Sequence, residues 1–381
     1  MSTIEYHSVD PTNNRPTYTE LDVVTFDINN LGRKLRLGSL RLEGTFNATN
    51  VVSNSNNGIN RDIKMDSRAG VHSFIDSISV STASGMIENI PHSYARSIAM
   101  ADTCTLDYSD YFSSDKVCEL RSSNDALSIE LLTQSKSGGD TPLAYDRDFS
   151  IKPSICLNKP IQGNVMSFGK YGNIQIQLSI ARALNVFYGV DVAANSPDYS
   201  ISGLRLTYTT VPEDNKNPPL LLRSMIPIKS SINSNHSNTS LAVPGVCDAV
   251  SVSFVRINSA DTQADKSTQL MMPPGWESIQ FIYQNSSSNY VSYTVDSLNE
   301  VQEFAIQSYQ NTGHNQFYGM GNASDDRFEQ RTFGILVVSK DSTEDANDQL
   351  VFLASCHVGH VVGHHGTVRK QPCYDTDHQC L

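Results

Sequence analysis

The amino-acid sequence predicts an all-β fold built from two β-sandwiches in tandem. Stretches in which apolar and polar residues alternate recur along the chain, which is typical of strands with one face on a core and the other in solvent. Segments rich in Gly, Asn, Ser and Pro separate these stretches, and no amphipathic helix of three or more turns stands out. The strands fall into two successive blocks of roughly 150–190 residues, each large enough for one domain.

The stretch from Glu20 to Phe46 predicts a long opening strand of the first sandwich. Leu35 and Leu37 alternate with charged residues, and the dipeptide Gly38-Ser39 then shifts the apolar positions to the other parity. A one-residue shift at a small dipeptide indicates a β-bulge. We therefore expect a kinked strand that pairs with two neighbours.

The later strands of the first block are predicted from the same alternation. A strand over Val71–Val80 is expected to turn at Ser81–Gly85 into a partner that begins at Met86. The stretch Ile174–Ile180 has the cleanest alternation in the chain and predicts a strand with its isoleucines and Leu178 on the core.

Composition divides the chain into five parts. The stretch that ends in Lys216-Asn217-Pro218-Pro219 has the composition of a linker, and neither terminal segment shows a period. Strands of the second block are predicted around Ile226, Val252, Phe281, Leu336 and Phe352. The expected parts are an extended N-terminal arm (1–19), a first sandwich (20–212), a linker (213–219), a second sandwich (220–356) and a C-terminal tail (357–381).

The net charge of −12 argues against direct binding of nucleic acid. Proteins that neutralise a packaged genome need clustered Lys and Arg, whereas Arg15 is the only basic residue of that kind in the first thirty positions. The chain also has no run of eighteen apolar residues and no signal peptide, so synthesis and folding in a cytosol are expected.

Metal-competent side chains are concentrated at the C-terminal end. The seven cysteines form no dense framework, and free thiols are the expectation in a reducing compartment. The composition of the tail permits a structural zinc site, although its spacing matches no zinc finger; the alternative is a flexible tail that crosses a contact between subunits. The residues concerned are Cys356, His357, His360, His364, His365, Cys373, His378 and Cys380.

The sequence lacks the common motifs of hydrolases, zinc proteases and phosphate-binding loops. It contains neither Gly-x-Ser-x-Gly nor His-Glu-x-x-His, and the stretch Gly163–Lys170 has the wrong spacing for a phosphate loop. We therefore expect no enzymatic activity and assign no catalytic, cofactor-binding or metal-binding residue.

Several stretches together resemble the double jelly-roll major capsid proteins of tailless icosahedral DNA viruses, the group that includes virophages and polinton-like viruses. The segments Gly70–Val80 and Gly85–Tyr94 resemble an early hairpin of that family and its turn into a short Tyr-containing helix. Phe149–Pro153, Asn173–Leu178 and Ser200–Leu206 resemble its late strands of the first barrel. The resemblance covers residues 20–212, and more loosely 220–355.

This resemblance implies a fold and an assembly. The fold would be two tandem eight-stranded jelly-roll β-sandwiches, a double jelly roll. The chain would form a homotrimer whose six jelly rolls make a pseudo-hexameric capsomer, and capsomers would tile an icosahedral capsid with penton and minor capsid proteins. The protein would be part of the virion, assembled in the cytoplasm or nucleus of the host, with an internal membrane as a further partner beneath the shell.

Two alternatives remain open at this point. The chain is also compatible with a penton (vertex) protein of the same virus type, which would assemble with fivefold symmetry. A carbohydrate-binding or hydrolytic β-sandwich protein would need an aromatic platform or a pair of carboxylates, and the single Trp276 argues against it.

Overall fold

A computed structural model gives the fold of the 381-residue chain. The structure describes residues 3–30, 32–51, 64–66, 69–91, 94–95, 126–128, 143–188, 198–214, 220–233, 238–241, 249–257, 276–284, 290–295, 333–339, 349–362 and 368–371. Side-chain surroundings are described for residues 3–30, 32–48, 69–91, 94–95, 146–187, 198–214 and 220–226.

Strands dominate both blocks. In the first block they are β1 (Glu5–Val9), β2 (Thr17–Tyr18), β3 (Val23–Ile28), β4 (Arg33–Arg36), β5 (Arg41–Val51), β6 (Lys64–Asp66), β7 (Ile75–Thr82), β8 (Gly85–Ile90), β9 (Ala126–Ser128), β10 (Leu143–Ile151), β11 (Pro160–Gln162), β12 (Val165–Ser167), β13 (Ile174–Ile180), β14 (Phe187–Tyr188) and β15 (Asp198–Pro212). In the second block they are β16 (Leu220–Asn233), β17 (Asn238–Leu241), β18 (Ala249–Ile257), β19 (Trp276–Gln284), β20 (Tyr290–Val295), β21 (Phe333–Ser339), β22 (Gln349–Val362) and β23 (Val368–Gln371). Short helices accompany them: 3₁₀ turns at Gly70–Phe74 and Cys156–Asn158, and the single-turn helices α1 (Phe168–Tyr171) and α2 (Ala183–Val186).

The first sandwich is centred on β15. On one side, β15 pairs antiparallel with β5 and then β4, and on the other side with β2 and then β1. Strands β10 and β12 extend the sheet beyond β5 and β4. The facing sheet has the order β3-β13-β7-β8, and β14, β6 and β9 form a small third sheet.

Strand β13 shows why the sheets enclose a core. Ile174, Ile176, Leu178 and Ile180 are all 0–1% exposed, while Gln175 and Gln177 between them are exposed, as the sequence predicts. From the facing sheet, Phe46 and Tyr199 stack with ring centroids 5.3 Å apart. The period-2 pattern places the apolar residues of each strand on one face, so these two faces close on each other.

The predicted opening strand is correct in part. Residues 33–49 do run along β15 with an interruption at Gly38-Ser39, and the two parts pair with different neighbours, β12 and β10. The interruption is a turn of several residues rather than a one-residue bulge, and Gly38 adopts φ of 78° there. Val23–Ile28 belongs to the facing sheet as β3, so the prediction of one continuous strand from Glu20 was wrong.

The predicted first hairpin begins later than expected. Gly70–Phe74 forms a buried 3₁₀ turn, and the strand starts at Ile75 instead of Val71. β7 then turns at Ser84 and pairs with β8, which starts at Gly85. The expected hairpin is therefore present.

A bulge in β15 moves its apolar positions from one parity to the other. Tyr199 and Ile201 are buried before it, and Leu204 and Leu206 after it. Gly203, at φ of 59°, provides the left-handed backbone conformation at this point, which a residue with a Cβ adopts only at a cost.

The N-terminal segment differs from the extended arm that the sequence predicts. β1 pairs with β15 over five residues, its Glu5 forms an ion pair of 2.9 Å with Arg33, and its His7 hydrogen-bonds Thr210 at 2.7 Å. The backbone N–H of Thr12 also donates to Thr25 on the edge of the facing sheet at 2.8 Å. Alternation of apolar and polar residues is weak in so short and polar a strand, so this pairing could not be predicted from the sequence.

The second block forms two further sheets. One has the order β11-β16-β22-β18, with β23 also paired to β22, and the other has the order β17-β21-β19-β20. The strands predicted in this block are confirmed as β16, β18, β19, β21 and β22. β22 continues through Val362 and pairs with β23, so part of the segment predicted as a tail is in strands. Within the described residues, no helix is long and apolar enough to cross a membrane.

The register of β13 predicts the effect of a single charge. Leu178→Asp would place an unpaired carboxylate on the core face, at a cost of several kcal/mol against a domain stability of about 5–15 kcal/mol. We expect the variant to be unfolded or aggregated, whereas Gln177→Asp, one residue away on the exposed face, melts like the wild type. Circular-dichroism melting measures both. A wild-type melting temperature for Leu178→Asp would show that the register is wrong.

The pairing of β1 predicts that the N-terminal segment stabilises the fold. Deleting residues 1–9 removes the Glu5–Arg33 ion pair and uncovers the edge of β15, at a cost on the order of 2 kcal/mol, which lowers the melting temperature by about 4–8 °C. Ser8→Ala changes an exposed polar side chain of the same strand and should have no such effect. Calorimetry that found no shift on deletion would contradict a stabilising role.

Candidate functional site at the junction of the two sandwiches

The two sandwiches meet along one edge of β16. The other edge of β16 pairs with β22 over its whole length. On the edge toward the first sandwich, β11 pairs with Leu221 and Leu222, and the backbone N–H of Arg223 donates to the carbonyl of Lys159 at 3.1 Å. A strand of the first block thus belongs to a sheet of the second. We call this region the junction: β8, residues 155–162 and residues 220–225.

A buried glutamate completes the hydrogen bonding of this edge. Glu88 lies on β8, the edge strand of its own sheet, and is only 3% exposed. Its Oε1 accepts from the backbone N–H of Met225 at 2.9 Å, and its Oε2 accepts from the backbone N–H of Cys156 at 2.6 Å. One carboxylate therefore connects β8, the segment before β11, and β16, in place of the strand that would otherwise cover Met225.

Burial makes this carboxylate costly to ionise. Loss of water raises the pKa of Glu88 above its ordinary value, while the charge of Lys159 and the two backbone N–H groups act in the opposite direction. The pKa of the neighbouring Cys156 thiol is raised well above its ordinary value by burial and by the charge of Glu88. The thiol therefore remains protonated at neutral pH and is not a ready nucleophile.

Apolar side chains from both blocks belong to one buried cluster. Leu220, Leu222 and Met225 of β16 are 0–1% exposed and belong to the same buried cluster as Ile155 and Leu157. The hydrophobic core of the first sandwich is thus completed by residues from the start of the second block. This burial resists separation of the two sandwiches.

A second buried charge holds the chain where it leaves the first sandwich. Lys34 on β4 is 1% exposed and forms ion pairs with Asp214 and, at 3.3 Å, with Glu213. Burial lowers the pKa of Lys34, but its hydrogen bonds to Asp214 and Glu213 outweigh burial, so the pKa is raised overall. Ser167 also donates to Glu213 at 2.7 Å. The end of β15 is therefore fixed to β4 and β12.

The outer face of the first sheet has a depression whose polar groups bind each other. An open depression there is lined by Glu43, Thr45, Asp148 and Arg205 among others. Arg205 pairs with Glu43 at 3.1 Å, and Thr45 donates to Asp148 at 2.7 Å, so these charges and polar groups bind each other. Phe149 in its lining is 4% exposed and offers no aromatic platform for a sugar.

The metal-competent tail remains a prediction. Cys356, His357 and His360 lie on β22, but the surroundings of their side chains are outside the described part of the structure. His364, His365, Cys373, His378 and Cys380 fall outside the described residues altogether. Among the side chains that are described, no group of three His, Cys, Asp or Glu is placed to hold a metal ion.

Sequence reasoning assigned no role to Glu88 or Lys34. Glu88 follows the buried Ile87, and Lys34 precedes the buried Leu35. Strict alternation along a strand would place one residue of each pair in solvent. For Glu88 the available signal was a charged residue inside a short apolar strand, whereas Lys34 lies in a strand with two other basic residues and gave no such signal. Neither their burial nor their partners could be deduced, since the partners lie 68 to 180 positions away.

The chain matches no known protein-family profile and no curated protein sequence. It is similar in structure to several viral capsid proteins. The mavirus major capsid protein is 11% identical, with a TM-score of 0.53 over 97% of this chain and 90% of that one. The Faustovirus major capsid protein is 8% identical, with a TM-score of 0.58 over 94% and 90%. A chain of the PBCV-1 virus capsid is 9% identical, with a TM-score of 0.55 over 99% and 98%.

These similarities cover both sandwiches and confirm the predicted fold class, an all-β double jelly roll. At 8–11% identity they carry information on the fold alone.

The Lys34 ion pairs predict a measurable loss when the charge is removed. Lys34→Met keeps most of the buried apolar stem but leaves Glu213 and Asp214 without their cation. Because both carboxylates are partly exposed, we expect a moderate cost of about 1–2 kcal/mol in the free energy of unfolding. Lys152→Met, at an exposed lysine, is the matched control. Urea denaturation that found equal stability for the two variants would contradict an anchoring role.

Proposed function

We propose that this chain is the major capsid protein of a tailless icosahedral DNA virus. In this proposal three copies form a trimer, their six jelly rolls make a pseudo-hexameric capsomer, and capsomers tile the shell. The observation that carries the proposal is the extent of the structural similarity: it spans 94–99% of this chain and 90–98% of each capsid protein compared. This similarity over nearly the whole length of both proteins supports a structural role in a capsid shell.

The junction supports a role as a building block. A capsomer with near-sixfold outline needs two jelly rolls held at a constant angle, because any error in that angle is repeated around the trimer. The shared β-sheet edge, the Glu88 bridge and the continuous core around Leu222 are the features expected of such a rigid pair.

Exposed apolar side chains on the first sandwich support lateral contacts between subunits. Large hydrophobic residues on a surface often mark an interface with another protein, and closed oligomers are the usual way to cover them. Those that are 45–85% exposed in the described residues are Ile4, Tyr6, Leu21, Val23, Met86 and Leu184.

The remaining expectations follow from this proposal. The partners would be other copies of the chain, penton and minor capsid proteins, and an internal membrane beneath the shell. The acidic charge of −12 argues against direct contact with the genome. The protein would act in the virion without catalysis, with its jelly rolls divided near residues 213–219.

Oligomeric state is the direct test. The purified chain should form a stable species of three times its 41.9 kDa mass, with a hexagonal outline in electron micrographs. Light scattering over a wide range of concentrations measures the mass. A monomer at every concentration would contradict the proposal, and a fivefold assembly would identify a penton protein instead.

A further inference from the structure

Glu88 has a property that a purely structural bridge does not need. The backbone N–H groups of Met225 and Cys156 could be satisfied by any neutral acceptor, yet the residue that accepts from both is ionisable and nearly fully buried. A protonated carboxyl group retains lone pairs on both oxygens. Both hydrogen bonds can therefore persist on protonation, while the buried negative charge disappears.

We propose that Glu88 is a proton-sensitive latch between the two sandwiches. When the carboxyl group is protonated the junction is held shut most firmly, and when it is ionised the junction opens more readily, because opening lets water reach the charge. This inference concerns the connection of the two jelly rolls within one chain and does not depend on the capsid proposal.

Few groups face the carboxylate from the elements packed around it. Lys159, after the 3₁₀ turn, is half-buried and favours the ionised form, and the Cys156 thiol hydrogen-bonds the carboxylate. On β16, Arg223 is buried two residues before Met225, and on β22 the backbone of His357 pairs with Met225. The strands β7 and β8 contribute no other charged group beside Glu88, since the nearby residues are Ser79, Val80, Ile87 and Asn89.

The sign of the pH effect follows from linkage. The pKa of Glu88 is raised above its ordinary value of 4.5 in the closed junction and returns toward 4.5 when the junction opens. The closed form therefore binds the proton more tightly. Stability of the closed junction is fully present below pH 4.5 and is lost as the pH rises through the raised pKa. Within that window the closed form binds up to one proton more than the open form, so the closing equilibrium constant falls by up to about tenfold per pH unit.

Hydrogen exchange of the full-length protein tests the latch from about pH 5 to about pH 9. Peptides that contain Met225 and Cys156 report on the junction, and peptides that contain Leu178 report on the core of the first sandwich. After correction for the intrinsic exchange rate, the ratio of junction protection to Leu178 protection should fall with rising pH, by up to about tenfold per unit. A ratio that does not change with pH in the wild type would overturn the proposal.

Two variants and a control assign the effect to Glu88. In Glu88→Gln the amide group faces one backbone N–H with its own donor, so junction protection should be lower than that of the protonated wild type. It should also no longer vary with pH. Glu43→Gln removes a carboxylate from the outer face of the first sheet and should keep the wild-type pH dependence. A pH dependence that survives unchanged in Glu88→Gln would assign it to another group and overturn the proposal.

Lys159→Met provides a test that leaves Glu88 in place, which matters if Glu88→Gln does not fold. Without the Lys159 charge, the ionised form is disfavoured further, so the fall in the protection ratio should move to higher pH. A shift to lower pH, or an unshifted profile, would contradict the electrostatics on which the latch depends.

Discussion

The hydrogen-bonding edge of β16 that faces the first sandwich is the constraint on which the rest of this structure depends. Met225 and Arg223 present backbone donors toward the first sandwich, and an unsatisfied buried donor costs about 1–3 kcal/mol. The first sandwich covers this edge with the short strand β11, and the carbonyl of Lys159 and the carboxylate of Glu88 accept the two donors. These acceptors come from widely separated positions in the sequence, so the edge is complete only when the first sandwich is folded.

This arrangement makes two jelly rolls into one mechanical unit. Leu220 and Leu222 complete a core that otherwise belongs to the first block, and Lys34 fixes the chain just before it leaves that block. The buried charges at Glu88 and Lys34 contribute orientation more than stability, since a buried ion pair or carboxylate is costly to desolvate and needs its partners in one geometry. The proposed role in a capsid would require such a fixed geometry, because a flexible pair of domains would not assemble with constant curvature.

The sequence predicted much of the fold because strand periodicity is local. The alternation in Ile174–Ile180 was enough to assign the buried face of β13 without knowledge of its partners. Strand pairing depends on residues far apart in the sequence, so it was predicted less well. The pattern of Val23–Ile28 is continuous with the strands that follow, yet this segment belongs to the facing sheet. Glu88 was missed for the same reason, since its hydrogen-bond donors, Cys156 and Met225, are distant in sequence.

The most direct test of this account is whether the two sandwiches unfold together. Calorimetry of the full-length protein should give a single cooperative transition whose calorimetric and van't Hoff enthalpies agree, because separating the sandwiches uncovers a shared core and the Glu88 bridge. Two resolved transitions, with the first sandwich melting independently of the second, would show that the junction is a loose contact and would contradict the account.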